Sequence, residues 1–187
     1  MSIVKKGRGR PLTLFAPGGQ GENLTHRMRF ADSVKGTKVG FVYEHSPQFT
    51  QVAKIRRQAD RDAAEVRALA ADYGTTRAIG FSRGARAVVG AIALVPSLFE
   101  RIALVIPPAN LRVAQNYETW LNSLSPTEAS SLAAEILVVG QRGDRGHPAD
   151  VAEAWANQLG AKLELLAPGD LSANPELVID LLAEFFN

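Results

Sequence analysis

The chain contains no cysteine, and only three histidines, two methionines and two tryptophans among its 187 residues. Lack of cysteine excludes disulfides, thiolate nucleophiles, iron–sulfur clusters and cysteine-bound zinc. Three histidines, His26, His45 and His147, leave few ways to assemble a general base or a metal site, and no metal or other cofactor is expected. No apolar run approaches the ~20 residues needed to span a bilayer. The N-terminus lacks the apolar stretch of a signal peptide. These absences set the expectation of a cytoplasmic protein with no membrane partner.

What is present describes an ordinary globular protein. Hydrophobic residues make up 46% and charged residues 21%, well away from disordered compositions. The length suits one domain with a substantial core, since domains of ~150 residues bury about two-thirds of their unfolded surface. The formal charge is +2, and Lys5, Lys6, Arg8 and Arg10 all fall in the first ten residues without an acid. The remainder is slightly acidic, so the isoelectric point near 9.1 reports this lead-in and not a basic binding face. Lys6-Gly7-Arg8-Gly9-Arg10-Pro11 resembles the AT-hook, an Arg-Gly-Arg-Pro segment that lies in the DNA minor groove. Pro11 runs straight into an apolar strand, however, with no further basic residues behind it. Residues 1–10 are therefore expected as a solvated basic tail, residues 11–187 as a single domain, and nucleic acid is not an expected partner.

Six short apolar, β-branched runs are strand candidates: Leu12–Ala16, Lys38–Tyr43, Thr76–Phe81, Arg101–Ile106, Glu135–Gly140 and Ala161–Leu166. Their near-continuous apolarity suits parallel strands covered on both faces. Val52, Ile55, Ala59, Val66, Leu69 and Tyr73 recur at helical spacing and predict a helix near residues 51–73, with Arg56, Arg57, Arg61, Asp62 and Arg67 on its solvated sides. Ala85–Leu94 is apolar nearly all round and should be sandwiched in the interior. Val151, Trp155 and Leu159 mark a further helix, and Leu177, Val178, Leu181, Leu182 and Phe185 a last one, which Asn174-Pro175-Glu176 starts well. Ser125-Pro126-Thr127-Glu128 offers a similar start as a capping box. Such alternation predicts a three-layer α/β/α sandwich with a six-stranded, all-parallel sheet. Ligands then belong at the carboxyl ends of the strands, near the reversal of strand order.

Three loops there carry chemistry. Gly80-Phe81-Ser82-Arg83-Gly84 is G-x-S-x-G between a strand and an apolar helix, the context of a nucleophile elbow. Small residues two before and two after the serine let strand and helix approach, exposing Ser82 and aiming the Arg83 amide at a developing oxyanion. Pro17-Gly18-Gly19-Gln20-Gly21 follows the first strand. As a dinucleotide fingerprint it fails, since Leu24 replaces the third glycine, and no Gly-Lys-Ser/Thr is present. Gln141-Arg142-Gly143-Asp144-Arg145-Gly146-His147-Pro148 follows the fifth strand.

Together these loops resemble the α/β-hydrolase superfamily over essentially the whole chain from Pro11 onward, although its two leading strands have no counterpart. The resemblance implies strand order 2-1-3-4-5-6, Ser82 as nucleophile, the Gly19 and Arg83 amides as oxyanion hole, and Gly18 and Gln20 beside them. It implies Asp144 as the orienting acid and a small lid-like insertion over residues 110–131, whose apolar face with Tyr117 and Trp120 either packs as core or lines a substrate channel. The family's histidine should follow the last strand, but Pro168-Gly169-Asp170 puts an aspartate there. His147 keeps the chain order serine, acid, histidine, although it stands only three residues beyond Asp144. His45 and His26 are the remaining imidazoles. Two functional expectations follow from different classes. One is a serine-hydrolase-type enzyme acting on a small-molecule ester or thioester with an atypical triad. The other is a non-hydrolytic relative that binds a small molecule or transfers a proton with Asp144 and Asp170 facing each other. Self-association is left open.

Overall fold

The computed structural model describes residues 2–19, 21, 23–46, 52–108 and 134–187. The side chains of residues 52–56 lie outside that description, as do Gln20, the capping-box residues 125–128 and the lid-like residues 110–131 with Tyr117 and Trp120.

Strands β1 (Ile3–Lys6), β2 (Leu12–Ala16), β3 (Thr37–Phe41), β4 (Arg77–Phe81), β5 (Arg101–Val105), β6 (Glu135–Gln141) and β7 (Lys162–Leu166) form one sheet in the order β1-β3-β2-β4-β5-β6-β7. The six strands from β2 onward pair in parallel and stand in the expected order. The expectation of six all-parallel strands needs one correction. Residues Ile3–Lys6 leave the basic lead-in and pair antiparallel with β3, Ile3 opposite Phe41 and Lys6 opposite Lys38. Four residues, two of them lysines, carry too little apolar pattern to read as a strand. Lysines suit an edge, where they discourage a further strand from adding.

Side chains alternate across the sheet with period two. Leu14, Ala16, Ala78, Ile102, Leu104, Ile136 and Val138 enter one core with α2 (Val52–Tyr73), α3 (Arg83–Leu94) and α4 (Ala149–Leu159). Phe15, Ile79, Phe81, Ala103, Val105, Leu137 and Val139 enter the other. That second face is covered by the short α1 (Leu24–Arg27), the 3₁₀ turn Met28–Ala31 and the C-terminal helix α6 (Pro175–Phe186), with α5 (Asp170–Ala173) leading into the latter. Two covered faces account for the near-continuous apolar strands. Helix α3 is buried from Arg83 to Ile92, as its all-round apolarity predicts.

One departure bears on the site. Asp62 of α2, expected on the solvated side, is 1% exposed. It stands three residues after Ala59 and four before Val66, so it shares their buried stripe.

The sheet and α3 meet at two glycines. A Cβ at Gly80 would stand 2.7 Å from the Ala85 backbone, and one at Gly84 would overlap the Ala16 carbonyl oxygen at the end of β2. Both neighbours are main chain and cannot swing aside. Gly84→Ala is expected to lower unfolding free energy by more than ~3 kcal/mol, as overpacking against fixed backbone does. Gly74→Ala, at φ +58° in open space, should cost only about 1 kcal/mol of left-handed strain. Urea titration of the two variants measures the contrast, and equal costs would remove the close-approach argument.

Candidate active site

The approach enforced by Gly80 and Gly84 bends the chain sharply at Ser82, which has φ 47° and ψ −109°. A non-glycine residue there costs on the order of 1–3 kcal/mol, so the surroundings must hold it. Its backbone is pinned on both sides. The Ser82 amide donates to the Val105 carbonyl at 3.0 Å, and its carbonyl accepts from the Arg86 amide at 3.3 Å. Ser82 is half-buried. The Arg83 amide, at the first position of α3, has no intrahelical acceptor, and among the described residues no backbone carbonyl takes it.

Ser82 Oγ lies 2.9 Å from Nε2 of His147. On the other side of the ring, Nδ1 lies 3.3 Å from Oδ2 of Asp144. His147 and Asp144 are 25% and 22% exposed, so water reaches one edge of the pair. Oδ1 of Asp144 accepts from the amides of Gly146 at 2.8 Å and His147 at 3.0 Å. The carboxylate therefore braces its own turn with one oxygen and faces the imidazole with the other. Burial pushes the Asp144 carboxyl upward, but the Gly146 and His147 amide bonds and the His147 ring outweigh it and hold it below the ordinary value.

Asp170 stands elsewhere. Its Oδ2 accepts from the Ala167 amide at 3.0 Å and its Oδ1 from Asn174 Nδ2 at 2.9 Å, closing the turn that opens α5. Both Asp170 oxygens are thus engaged within its own turn, and among the described residues it makes no hydrogen bond to Asp144 or His147. Helix α5 instead meets the end of β6, with the Leu171 amide donating to Gln141 Oε1 at 2.9 Å.

The side chain of Arg83, which the G-x-S-x-G pattern does not specify, organises the other flank. Its Nε and Nη2 make a two-pronged bond to Asp62, each at 2.7 Å. Its Nη1 donates to the carbonyls of Gly19 at 3.0 Å and His45 at 2.9 Å. The guanidinium lies 3.9 Å from the Tyr43 ring centre. Arg86 adds a second charge 3.6 Å from Asp62. One buried cation thus ties the loops after β2 and β3 to α2 and to the serine turn. The signal available in sequence was an aspartate at core spacing on α2.

His26 is exposed on α1 and lines an open cleft of about 740 Å³ with Val4, Gly21, Asn23, Leu24, Thr25 and Val42. Ser82 and His147 are not part of its wall. His45 clusters with Glu44 and Glu65, their donor atoms within 4.8 Å of one another, the one cation-capable set among the described residues. Burial, then the charges of Asp62 and Glu44, raise the Glu65 carboxyl. Among the described residues no helix is long and apolar enough to cross a membrane.

A strained serine at a strand–helix turn, within hydrogen-bond reach of an imidazole faced by a carboxylate, on a mostly parallel sheet, defines a class of α/β architecture. Comparison of structures names it: the chain has the α/β-hydrolase fold. A "predicted CIB-like hydrolase" from Thermoplasma acidophilum superposes with TM-score 0.67 at 16% identity, over 97% of this chain and 92% of that one. MGS-MChE2, an alpha/beta hydrolase enzyme from the metagenome of lagoon sediments at Mar Chica, Morocco, gives 0.61 at 16%, over 98% and 93%. Est816, described as an N-acyl homoserine lactone degrading enzyme, gives 0.65 at 13%, over 98% and 96%. No family model and no curated protein matches the sequence.

Two outcomes test this geometry. Asp62→Asn leaves the Arg83 charge uncompensated in the interior and is expected to destabilise the protein by about 3–5 kcal/mol in chemical denaturation. Asp144, held low, stabilises the folded state fully above the ordinary carboxylate value of about 3.9, and that contribution is lost as pH falls through its lower folded value. The stability gap between wild type and Asp144→Asn should therefore be full at neutral pH and close under acid; a gap that widens on acidification would contradict the assignment.

Proposed function

We propose that the protein is a serine-type acyl hydrolase acting on small-molecule esters or thioesters. The observation that carries this reading is the 2.9 Å contact between Ser82 Oγ and His147 Nε2, with Asp144 on the opposite edge of the same ring. Ser82 is the nucleophile, His147 the general base and Asp144 the group that orients the imidazole and offsets its charge. For Nε2 to accept the serine proton, Nδ1 must carry the other proton and donate it toward Asp144. A 3.3 Å separation suits a resting site that tightens when substrate binds.

The reaction then runs in two balanced halves. Ser82 Oγ attacks the acyl carbon while its proton passes to His147 Nε2. The tetrahedral oxyanion is received by the Arg83 amide and the Gly19 loop. His147 returns the proton to the departing alcohol or thiol as its bond to carbon breaks, leaving an ester on Ser82. Water attacks that ester, His147 takes a proton from it, and the Ser82–acyl bond breaks with the proton returned to Oγ. One acid and one alcohol or thiol leave for each water consumed.

Histidine placed three residues after the acid changes the usual division of labour between loops. The loop after β6 carries both groups, and the aspartate at position 170 serves only the turn beneath it. Gly18, beside the serine turn, stands on the substrate side of this reading. Solution as a small-molecule enzyme, independent of nucleic acid or membrane, is part of the same proposal.

A fluorophosphonate probe should label the wild type at Ser82 and fail with Ser82→Ala. On an activated ester, His147→Ala and Asp144→Asn should each lose about 10³–10⁴-fold in kcat, whereas Asp170→Asn should stay within about twofold. An unlabelled wild type, or full activity in His147→Ala, would sink the assignment.

A further inference from the structure

Arg27 ends α1 and points its guanidinium toward the serine turn. The position that a Cβ on Gly18 would occupy lies 2.9 Å from Arg27 Nη1, 3.4 Å from Ser82 Cβ and 3.4 Å from the Phe81 carbonyl oxygen. Glycine leaves that point empty, so the guanidinium and the serine face the same small space. Gly18 has no positive φ, so its bareness answers to that space and not to a backbone requirement.

The charge of Arg27 is handled unlike that of the neighbouring arginines. Arg83 and Arg86 are both buried against Asp62. Arg27 is half-buried and forms no ion pair or side-chain hydrogen bond with any described residue. Two further arginines, Arg142 and Arg145, are exposed on the loop that carries Asp144 and His147, and neither is ion-paired among the described residues. A planar, partly desolvated guanidinium with an open fork is suited to receive a carboxylate through paired N–H···O bonds.

Building on the acyl-hydrolase reading, we infer that Arg27 is a specificity-determining residue that binds a carboxylate on the substrate, so the preferred substrates are esters or thioesters of dicarboxylic acids. The second carboxylate sits against Arg27 across the bare α-carbon of Gly18 while the scissile carbonyl reaches Ser82. Such a contact is made in both ground and transition states, so its loss should appear mainly in KM.

The test uses mono-4-nitrophenyl glutarate and its methyl ester, whose distal carboxylate is free in one and methylated in the other. Wild type is expected to favour the anionic ester in kcat/KM. Arg27→Gln should cut that preference by about 10–100-fold, chiefly through KM, while the methylated ester stays within about twofold. Arg27→Lys should restore part of the preference, and Gly18→Ala, whose methyl displaces the guanidinium, should reduce it as Arg27→Gln does. Equal losses on both esters in Arg27→Gln, or a wild type that favours the methylated ester, would overturn the inference. Fluorophosphonate labelling separates it from the reading beneath it: Arg27→Gln should still be labelled at the wild-type rate. Should wild type prove unreactive to the probe and to both esters, the hydrolase reading fails alone. Calorimetric titration of glutarate then decides, with binding lost in Arg27→Gln supporting the Arg27 site and equal binding in both proteins rejecting it.

Discussion

The buried pair of Arg83 and Asp62 is the interaction on which the site's geometry depends. Removing two charges from water is costly, and their attraction repays it only where geometry is good and the remaining donors are satisfied. Here the two prongs on Asp62 are both 2.7 Å, and the third nitrogen reaches two carbonyls. Those carbonyls belong to Gly19 and His45, in loops that follow different strands. The pair thereby joins α2, two strand-end loops and the residue next to the proposed nucleophile. A hydrophobic contact at the same place would be as stable, but it would not set the direction of the Gly19 peptide.

Backbone proximity is the second constraint, and the two reinforce each other. Gly84 brings α3 against the Ala16 carbonyl, and Gly80 brings β4 against Ala85. The chain between has little choice but the strained Ser82 conformation, which a structure lacking those contacts would relax. The loop after β2 begins at the same Ala16, so the glycine that tightens the serine turn also sets the distance from that turn to Gly18 and Gly19. The turn and the loop opposite it are held by one set of contacts.

Much of this was legible before any coordinates. The six parallel strands lie within a residue or two of the apolar runs that announced them, because both faces of the sheet are covered and the central positions are mostly apolar. The elbow was legible because its glycines answer to a local steric need. The edge strand Ile3–Lys6 was not, since its pairing comes from β3 and its own four residues carry no pattern. Asp62 shares the helical spacing of the buried Ala59 and Val66, yet a charged residue carries no apolar signal of its own. Arg27 stood out in no motif, and only its approach to Gly18 gives it a place in the site.

The scarcity of histidine shows where sequence stops. By itself the sequence determined that any imidazole beside Ser82 had to be one of three, and that cysteine could not stand in for the serine. It also determined the layered fold, because hydrophobic period and turn glycines are local properties of the chain. Which imidazole meets the serine was decided by tertiary structure. His147 and Ser82 are 65 residues apart, and their contact depends on how the loop after β6 turns above the sheet. That turn is closed by the oxygen of Asp144 that accepts the Gly146 and His147 amides, while Asp170 closes a turn of its own. Local pattern names the candidates; only the packing of distant loops brings donor and acceptor within 3 Å.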